Sequence, residues 1–231
     1  MSIDLAENIA AVRRRIAEAA ERVNRSAEEI TLVAVTKTIP VERINRAIEL
    51  GIRHIGENRI QEAREKLPQV SPGVTRHFIG HLQRNKVKYA IKLFDMIQSV
   101  DSLTLAEDIN ARCHIMGKQI PVLIEVNTSG EFSKFGCRPE EALTLLKAMD
   151  RLPALKVKGF MTVAAFSDDI EVVRQCFKML KNIYDEAQQL SLENSDISVL
   201  SMGMSHDFEV AIEQGANMVR IGTAIFGPRD H

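Results

Sequence analysis

A lysine closes an apolar segment near the N-terminus, where a charged side chain is unusual. Lys37 ends the run TLVAVTK, whose β-branched and apolar residues are typical of a buried strand. Partial desolvation favours the neutral form of an amine, and a neutral amine can form a Schiff base with a carbonyl group. Lys37 is therefore a candidate for covalent chemistry. The alternative is a lysine that reaches solvent or pairs with an acid such as Glu57.

Glycines and hydroxyl side chains near the C-terminus could bind an anion. Gly203 and Ser205 precede a helical pattern, and Gly222 and Thr223 follow another apolar segment. Glycine lets backbone N–H groups approach a phosphate closely, and the two hydroxyls add donors. The alternative is that Ser205 caps a helix and that the glycines form turns. Asp207 would compete with a bound phosphate, so we expect its carboxylate to turn away.

An amine and a phosphate loop that share one mouth would match pyridoxal 5′-phosphate (PLP), which carries an aldehyde and a phosphate. Arg220, two residues before Gly222, could then donate to a pyridine nitrogen and leave it unprotonated. The alternative is a structural arginine that binds carboxylates or carbonyl groups. The same lysine and loops, without a cofactor, would also suit a Schiff-base aldolase that acts on a phosphorylated sugar.

Short apolar segments alternate with helical patterns along the chain, and they would position these residues. The eight predicted strands are Thr31–Thr36, Arg53–Gly56, His77–Gly80, Met96–Val100, Pro121–Asn127, Val157–Val163, Ser198–Met202 and Met218–Gly222. Strands that alternate with helices predict parallel pairing, and eight such units favour a closed (β/α)8 TIM barrel over an open doubly wound sheet. The C-terminal ends of barrel strands form one face, so Lys37, Ser205 and Gly222 are expected to meet there.

An additional helix is predicted before the first strand, because apolar residues from Leu5 to Val23 recur at helical spacing. The last strand has almost no chain after it, so its own helix would be missing and the N-terminal helix could cover that gap. No linker or shift in composition divides the chain. Residues 1–231 are therefore predicted to form a single α/β-barrel domain.

Composition narrows the class of protein. The 231 residues include 30 basic and 31 acidic side chains, a balance that argues against a nucleic-acid or membrane partner. The three cysteines lack a C-x-x-C spacing, so no metal site is expected and the thiols suit a reducing compartment. We find no apolar run of signal-peptide or membrane-spanning type, and we expect a cytoplasmic protein.

Seven segments together resemble those of a known family. They are LVAVTKT, IGENRIQEA, HFIGHLQRNK, SGEFSKFG, KGFMT, LSMGMSHDFEVAI and VRIGTAIFG, and they run from the first strand to the C-terminus. In this order they resemble the pyridoxal phosphate homeostasis proteins, which are small cytosolic PLP-binding proteins with an alanine-racemase-like barrel. The resemblance implies a PLP fold-type III-like barrel and a role in vitamin B6 homeostasis.

The resemblance also implies particular roles for residues of this chain. It implies Lys37 as the Schiff-base lysine, Arg220 at the pyridine nitrogen, Ser205, Gly222 and Thr223 at the phosphate, and Ser201 and Asn58 nearby. It implies that the protein holds PLP and supplies it to apo-enzymes, and it implies no committed catalytic turnover.

Two further classes stay open, a PLP-dependent amino-acid racemase and a non-enzymatic interaction module. A two-base racemase needs a second proton donor, typically a tyrosine from another domain. The only tyrosines are Tyr89 and Tyr184, and both fall inside helical patterns. His81, His206 and Lys134 are the remaining bases near the predicted mouth. We therefore expect a carrier rather than an enzyme, assign no catalytic residue, and expect a monomer.

Overall fold

The computed structural model describes residues 4–228, which contain a closed barrel of eight parallel strands. The strands are β1 (Thr31–Val35), β2 (His54–Glu57), β3 (Thr75–Phe78), β4 (Met96–Val100), β5 (Ile120–Glu125), β6 (Leu155–Met161), β7 (Val199–Ser201) and β8 (Met218–Ile221). Each strand pairs with the next, and β8 pairs with β1 to close the barrel. The predicted barrel is confirmed, and its strand bounds differ from the predicted ones by at most two residues.

Helices surround the barrel and cover its outer surface. They are α1 (Leu5–Glu21), α2 (Val41–Glu49), α3 (Ile60–Lys66), α4 (Val87–Leu93), α5 (Leu103–Ile115), α6 (Ala142–Met149), α7 (Ile170–Gln188), α8 (Phe208–Glu213) and α9 (Thr223–Phe226). A 3-10 turn at Arg84–Lys86 directly precedes α4. Within residues 4–228, no helix combines the length and the apolar character that crossing a membrane requires.

The N-terminal helix packs beside the end of the chain. Leu5, Ile9, Val12 and Ile16 form its buried stripe, at the spacing that puts them on one face. The side-chain amide of Asn8 donates to the carbonyl of Ile225 in α9, across 3.0 Å. The N-terminal helix therefore packs beside the segment that follows the last strand, as predicted. One detail was wrong, because the short helix α9 does follow β8.

Alternation along the strands separates an inner layer from an outer one. Val33, Leu123 and Met161 are fully buried but do not join the large apolar cluster that the strands share with the helices. They therefore fill the inside of the barrel. Ala34, the neighbour of Val33, belongs to the outer cluster. Every second residue after Val33 is consequently directed inward, as far as the pairing of β1 continues.

Candidate cofactor site

The end of β1 leads directly to Lys37, at the C-terminal end of the barrel strands. The backbone N–H of Thr36 donates to the carbonyl of Gly56 at 2.9 Å, so pairing with β2 continues one residue beyond Val35. Lys37 follows at the start of a turn and is half-buried, and the inward direction predicted for its side chain stays a prediction. Glu57, the alternative partner for this lysine, instead binds Thr36 at 2.6 Å and Lys66 at 2.8 Å.

Arg220 lies in the barrel interior on β8 and is buried. One terminal nitrogen, Nη1, donates to the hydroxyl of Ser201 at 2.7 Å, and Nη2 donates to the carbonyl of Thr162 at 2.7 Å. Burial lowers the pKa of Arg220 to about 10, against the opposing effect of the Glu125 charge. Arg220 therefore stays a cation at neutral pH, and both contacts are to uncharged oxygen atoms.

A chain of hydrogen bonds runs from Arg220 through the barrel interior. Ser201 donates to Oε1 of Gln98 at 2.7 Å, the Gln98 amide lies 2.9 Å from Nδ1 of His77, and Nε2 of His77 lies 3.0 Å from Nδ1 of His54. Arginine can only donate hydrogen bonds. Each later group therefore accepts a hydrogen bond from the group before it and donates one to the group after it. His77 therefore carries its hydrogen on Nε2. Burial, and then the charge of His54, lower the pKa of His77 to about 3, so it is neutral.

Gln98 and His77 were missed by sequence reasoning. The available signal was the polar residue that each of two predicted strands contains, at a position where a buried strand is expected to have an apolar residue. Both side chains are fully buried and both bind only uncharged partners in the hydrogen-bond chain. They therefore complete the polar surroundings of Arg220 without adding a charge.

Thr162, one residue beyond β6, supports Arg220 with its backbone carbonyl, and its side chain contacts the segment that follows β5. The Thr162 hydroxyl donates to the carbonyl of Val126 at 2.7 Å and lies 2.9 Å from the hydroxyl of Thr128. All of these atoms are buried.

Replacing Thr162 by valine is expected to lower the free energy of unfolding by about 1–2 kcal/mol, because two buried polar groups lose a partner. Urea denaturation followed by circular dichroism measures this change. The exposed Thr144→Val in α6 is the matched control and should leave the stability unchanged. Equal midpoints for the two variants would contradict the structural role of the Thr162 hydroxyl.

The loops after β7 and β8 lie together, as predicted. The backbone N–H of Ala224, in α9, donates to the hydroxyl of Ser205 at 3.3 Å. The alternative role of Ser205 as a helix cap does not apply, because α8 begins at Phe208 without a side-chain cap. Oδ1 of Asp207 accepts a hydrogen bond from the N–H of Met204 at 2.5 Å, so this carboxylate turns back onto its own loop. Ser205 thus adjoins the segment that contains Gly222 and Thr223.

Gly203 allows that arrangement. Its φ of +95° lies in the left-handed region that favours glycine, and a Cβ there would meet the Cβ of Ala211 at 2.6 Å. The carbonyl of Gly203 accepts from the N–H of Arg220 at 3.0 Å. The loop after β7 is therefore held between α8 and β8.

Asn58 lies one residue beyond β2, on the inner side by alternation. Its Oδ1 atom is buried and has no hydrogen-bond partner within residues 4–228. The backbone of Gly80 packs closely against the same segment, since a Cβ at this position would lie 2.3 Å from the carbonyl oxygen of Asn58. The site therefore retains a buried polar atom whose partner would come from a bound molecule.

Glu125, at the end of β5, is a further acid of this interior that sequence reasoning missed. It is only 8% exposed, and in the part of the chain that the structure describes its Oε2 atom has no hydrogen-bond partner. Burial and, secondarily, the charge of Asp101 raise its pKa to about 7, while the charge of Arg220 opposes the shift. A carboxyl group that titrates near neutral pH therefore lies within electrostatic range of Arg220. The acid at the end of a predicted strand was the available signal.

The remaining bases near the mouth have structural contacts. Nζ of Lys134 donates to Glu131 and to the carbonyl of Ala164, both at 2.7 Å. The ring of His81 stacks on Phe135 with 3.8 Å between centroids, and His206 is exposed. A cavity of about 540 Å³ opens between the loops after β5, β6 and β7, and Lys134 and His206 line it.

Residues 4–228 contain no group of three or more His, Cys, Asp or Glu side chains that could hold a metal ion. The three cysteines are free and buried. The donors at the mouth are instead an amine, a guanidinium, hydroxyls and backbone N–H groups, a set that fits the phosphate and pyridine of a cofactor.

Comparison with known proteins shows the family of this chain. The family model of the alanine racemase N-terminal domain matches residues 8–230. A pyridoxal phosphate homeostasis protein from Pasteurella multocida is 39% identical over 228 residues, which cover 97% of each chain. The chain belongs to the pyridoxal phosphate homeostasis protein family. The resemblance inferred from seven short segments is therefore confirmed over nearly the whole length.

Solved structures extend the comparison of this family member. The structure of PipY from Synechococcus elongatus, with PLP bound, has a TM-score of 0.84 and 30% identity, and the match covers 97% of this chain and 100% of that one. An alanine racemase from Clostridium difficile has a TM-score of 0.76 at 18% identity. That match covers 99% of this chain but 57% of the racemase, and it shows the shared barrel fold alone.

Proposed function

We propose that this protein binds PLP covalently through Lys37 and takes part in PLP homeostasis without a committed catalytic cycle. The observation that supports the proposal is the convergence of strand ends in the barrel: Lys37 follows β1, Arg220 lies in β8, and the Ser205 loop follows β7 and contacts α9. The PLP-bound relative PipY, 30% identical over 97% of this chain, supports the same ligand.

Each group has a task that suits its chemistry. Lys37 would hold PLP covalently through its side-chain amine, as a Schiff base with the cofactor's aldehyde, and one water molecule would be released. Ser205, Gly222 and Thr223 would bind the phosphate, with Ser201 and Asn58 beside them. Arg220 would donate to the pyridine nitrogen and leave it unprotonated, because a guanidinium keeps its proton. PLP supplies an electron sink when it is bound, and an unprotonated ring is a weaker sink.

The positions of the two tyrosines support a carrier rather than a racemase. The ring of Tyr89, on α4, lies under the guanidinium of Arg64 at 4.5 Å. The hydroxyl of Tyr184, on α7, accepts from Gln188 at 3.0 Å. Both side chains belong to the outer helices, so neither faces the barrel mouth as a second proton donor. We include in the proposal a monomer, a cytoplasmic location that suits the free cysteines, and supply of PLP to apo-enzymes.

Borohydride reduction of the PLP-loaded protein, followed by peptide mapping, tests the covalent assignment. Label on Lys37 supports it, whereas label on Lys86 or Lys134 would show that another amine holds the cofactor.

Supply is tested by mixing the loaded protein with an apo-enzyme and comparing its reactivation with that produced by an equal concentration of free PLP. Faster reactivation by the loaded protein supports direct delivery, and an equal rate would remove that part of the proposal. Exchange of the α-proton of an added amino acid at enzyme-like rates would instead favour the racemase alternative.

A further inference from the structure

We propose that Glu62 and Lys66, both on α3, are positioning residues that fix the backbone on the two sides of Lys37. This inference rests on the proposed role of Lys37. It concerns the outer side of β1, which faces away from the barrel interior. It follows from two observations, the burial of Lys66 and the strained backbone of Thr38.

Lys66 is buried to an extent that is rare for lysine, with 8% of its surface exposed. Its ammonium group donates to the carbonyl of Thr36 and to Oε1 of Glu62, both at 2.7 Å, and forms an ion pair with Oε1 of Glu57 at 2.8 Å. The two carboxylates thus balance the buried charge, while the Thr36 carbonyl takes one of its hydrogen bonds. The peptide group before Lys37 is therefore anchored to a charge that the neighbouring carboxylates hold in place.

Glu62 anchors the peptide group after Lys37. Its Oε1 accepts from the backbone N–H of Thr38 at 2.5 Å. Thr38 has a φ of +64°, a left-handed conformation that is a genuine outlier for a β-branched residue. The Thr38 hydroxyl also donates to the carbonyl of Lys37 at 2.6 Å. Such strain persists only where surrounding contacts maintain it, and it concentrates at functional sites.

The two anchors are coupled, because one oxygen atom of Glu62 receives both the Lys66 ammonium and the Thr38 N–H. Lys37 thus leaves β1 from a backbone held on both sides, and its amine samples fewer positions than on a free loop. Loss of the anchors would release this backbone and slow the attack of the amine on an aldehyde, because the productive geometry would be populated less often.

The experiment compares Glu62→Ala, Glu62→Gln and Glu65→Ala in the full chain, freed of PLP. Glu65 is exposed on the same helix and serves as the matched control. Added PLP produces a near-visible absorbance band, and its rate of appearance is measured. We expect Glu62→Ala to slow this rate by on the order of tenfold. Glu62→Gln keeps an oxygen acceptor and should stay near the rate of the unmodified protein, as should Glu65→Ala.

A second readout needs no cofactor. Amide hydrogen exchange of Thr38, measured by NMR, should be slow in the unmodified protein and in Glu62→Gln, and fast in Glu62→Ala. Lys66→Met should slow band formation as Glu62→Ala does. Lys156→Met, which removes a lysine bonded to Asn194 at the opposite end of the barrel, should not.

Unchanged exchange of Thr38 and an unchanged rate in Glu62→Ala would overturn the positioning role. Equal slowing in Glu62→Ala and Glu62→Gln, with exchange of Thr38 as slow as in the unmodified protein, would also overturn it, because the rate would then change without any release of the backbone after Lys37. A band that survives Lys37→Ala contradicts the proposed function instead. The two failures are therefore distinguishable.

Discussion

Replacement of Lys37 by alanine is expected to abolish the near-visible absorbance band that PLP forms with this protein. Only the amine supplies a covalent bond, so the remaining contacts would be hydrogen bonds and ionic contacts to the phosphate and the ring. We expect the affinity for PLP to fall by on the order of a hundredfold, equivalent to about 3 kcal/mol. Absorbance titration of the PLP-free protein measures both the band and the affinity.

The controls for this experiment are the two rival lysines. Lys134→Ala removes an ion pair with Glu131, and Lys86→Ala removes a side chain near the start of α4. Both variants should keep the band at its original wavelength. Lys37→Ala should retain the far-ultraviolet circular dichroism spectrum of the unmodified protein, so that loss of the band reports chemistry rather than unfolding. A band that persists in Lys37→Ala, or disappears in Lys134→Ala, would place the covalent bond elsewhere.

Glu125→Gln is expected to change how stability depends on pH. The pKa of Glu125 is raised from 4.5 to about 7 in the folded protein, so between these pH values the folded state holds a proton that the unfolded state has released. The free energy of unfolding must therefore decrease as pH rises through this window. The gap of about 2.5 pH units, at about 1.4 kcal/mol per unit, predicts a loss of about 3 kcal/mol.

A glutamine at this position does not titrate, so Glu125→Gln should lack this contribution. Urea denaturation of the PLP-free proteins at pH 5 and pH 8 measures the free energy of unfolding at each pH. The contributions of the other titrating groups largely cancel in the comparison, because both proteins contain those groups. Between pH 5 and pH 8 the free energy of unfolding of Glu125→Gln should increase relative to that of the unmodified protein by about 2.5 kcal/mol, because part of the window lies below pH 5. Glu42→Gln, an exposed substitution on α2, should show no such gain. Parallel pH dependence in all three proteins would mean that Glu125 is ionised throughout.

The positions of residues at the ends of predicted strands made part of the candidate site predictable from the sequence. Lys37, Ser205 and Arg220 follow or lie in strands whose apolar patterns were readable, and parallel strands in a barrel bring such ends to one mouth. The barrel is confirmed, and the Ser205 loop does meet the start of α9. The roles of these residues toward PLP stay predictions. The sequence could not reveal that α9 exists, since four residues carry too little pattern to identify a helix.

The sequence by itself determined the alternation of strands and helices, the residues at the strand ends and the family. Those features are local, because the period of the apolar pattern and the residue types can be read from consecutive positions in the sequence. Tertiary structure alone decided the hydrogen-bond chain from Arg220 to His77, the raised pKa of Glu125 and the anchoring of Lys37 by α3. Each of these depends on barrel closure and strand register, which bring distant residues together and remove them from water. Burial and long-range contact are properties of the closed barrel, and no single segment contains them.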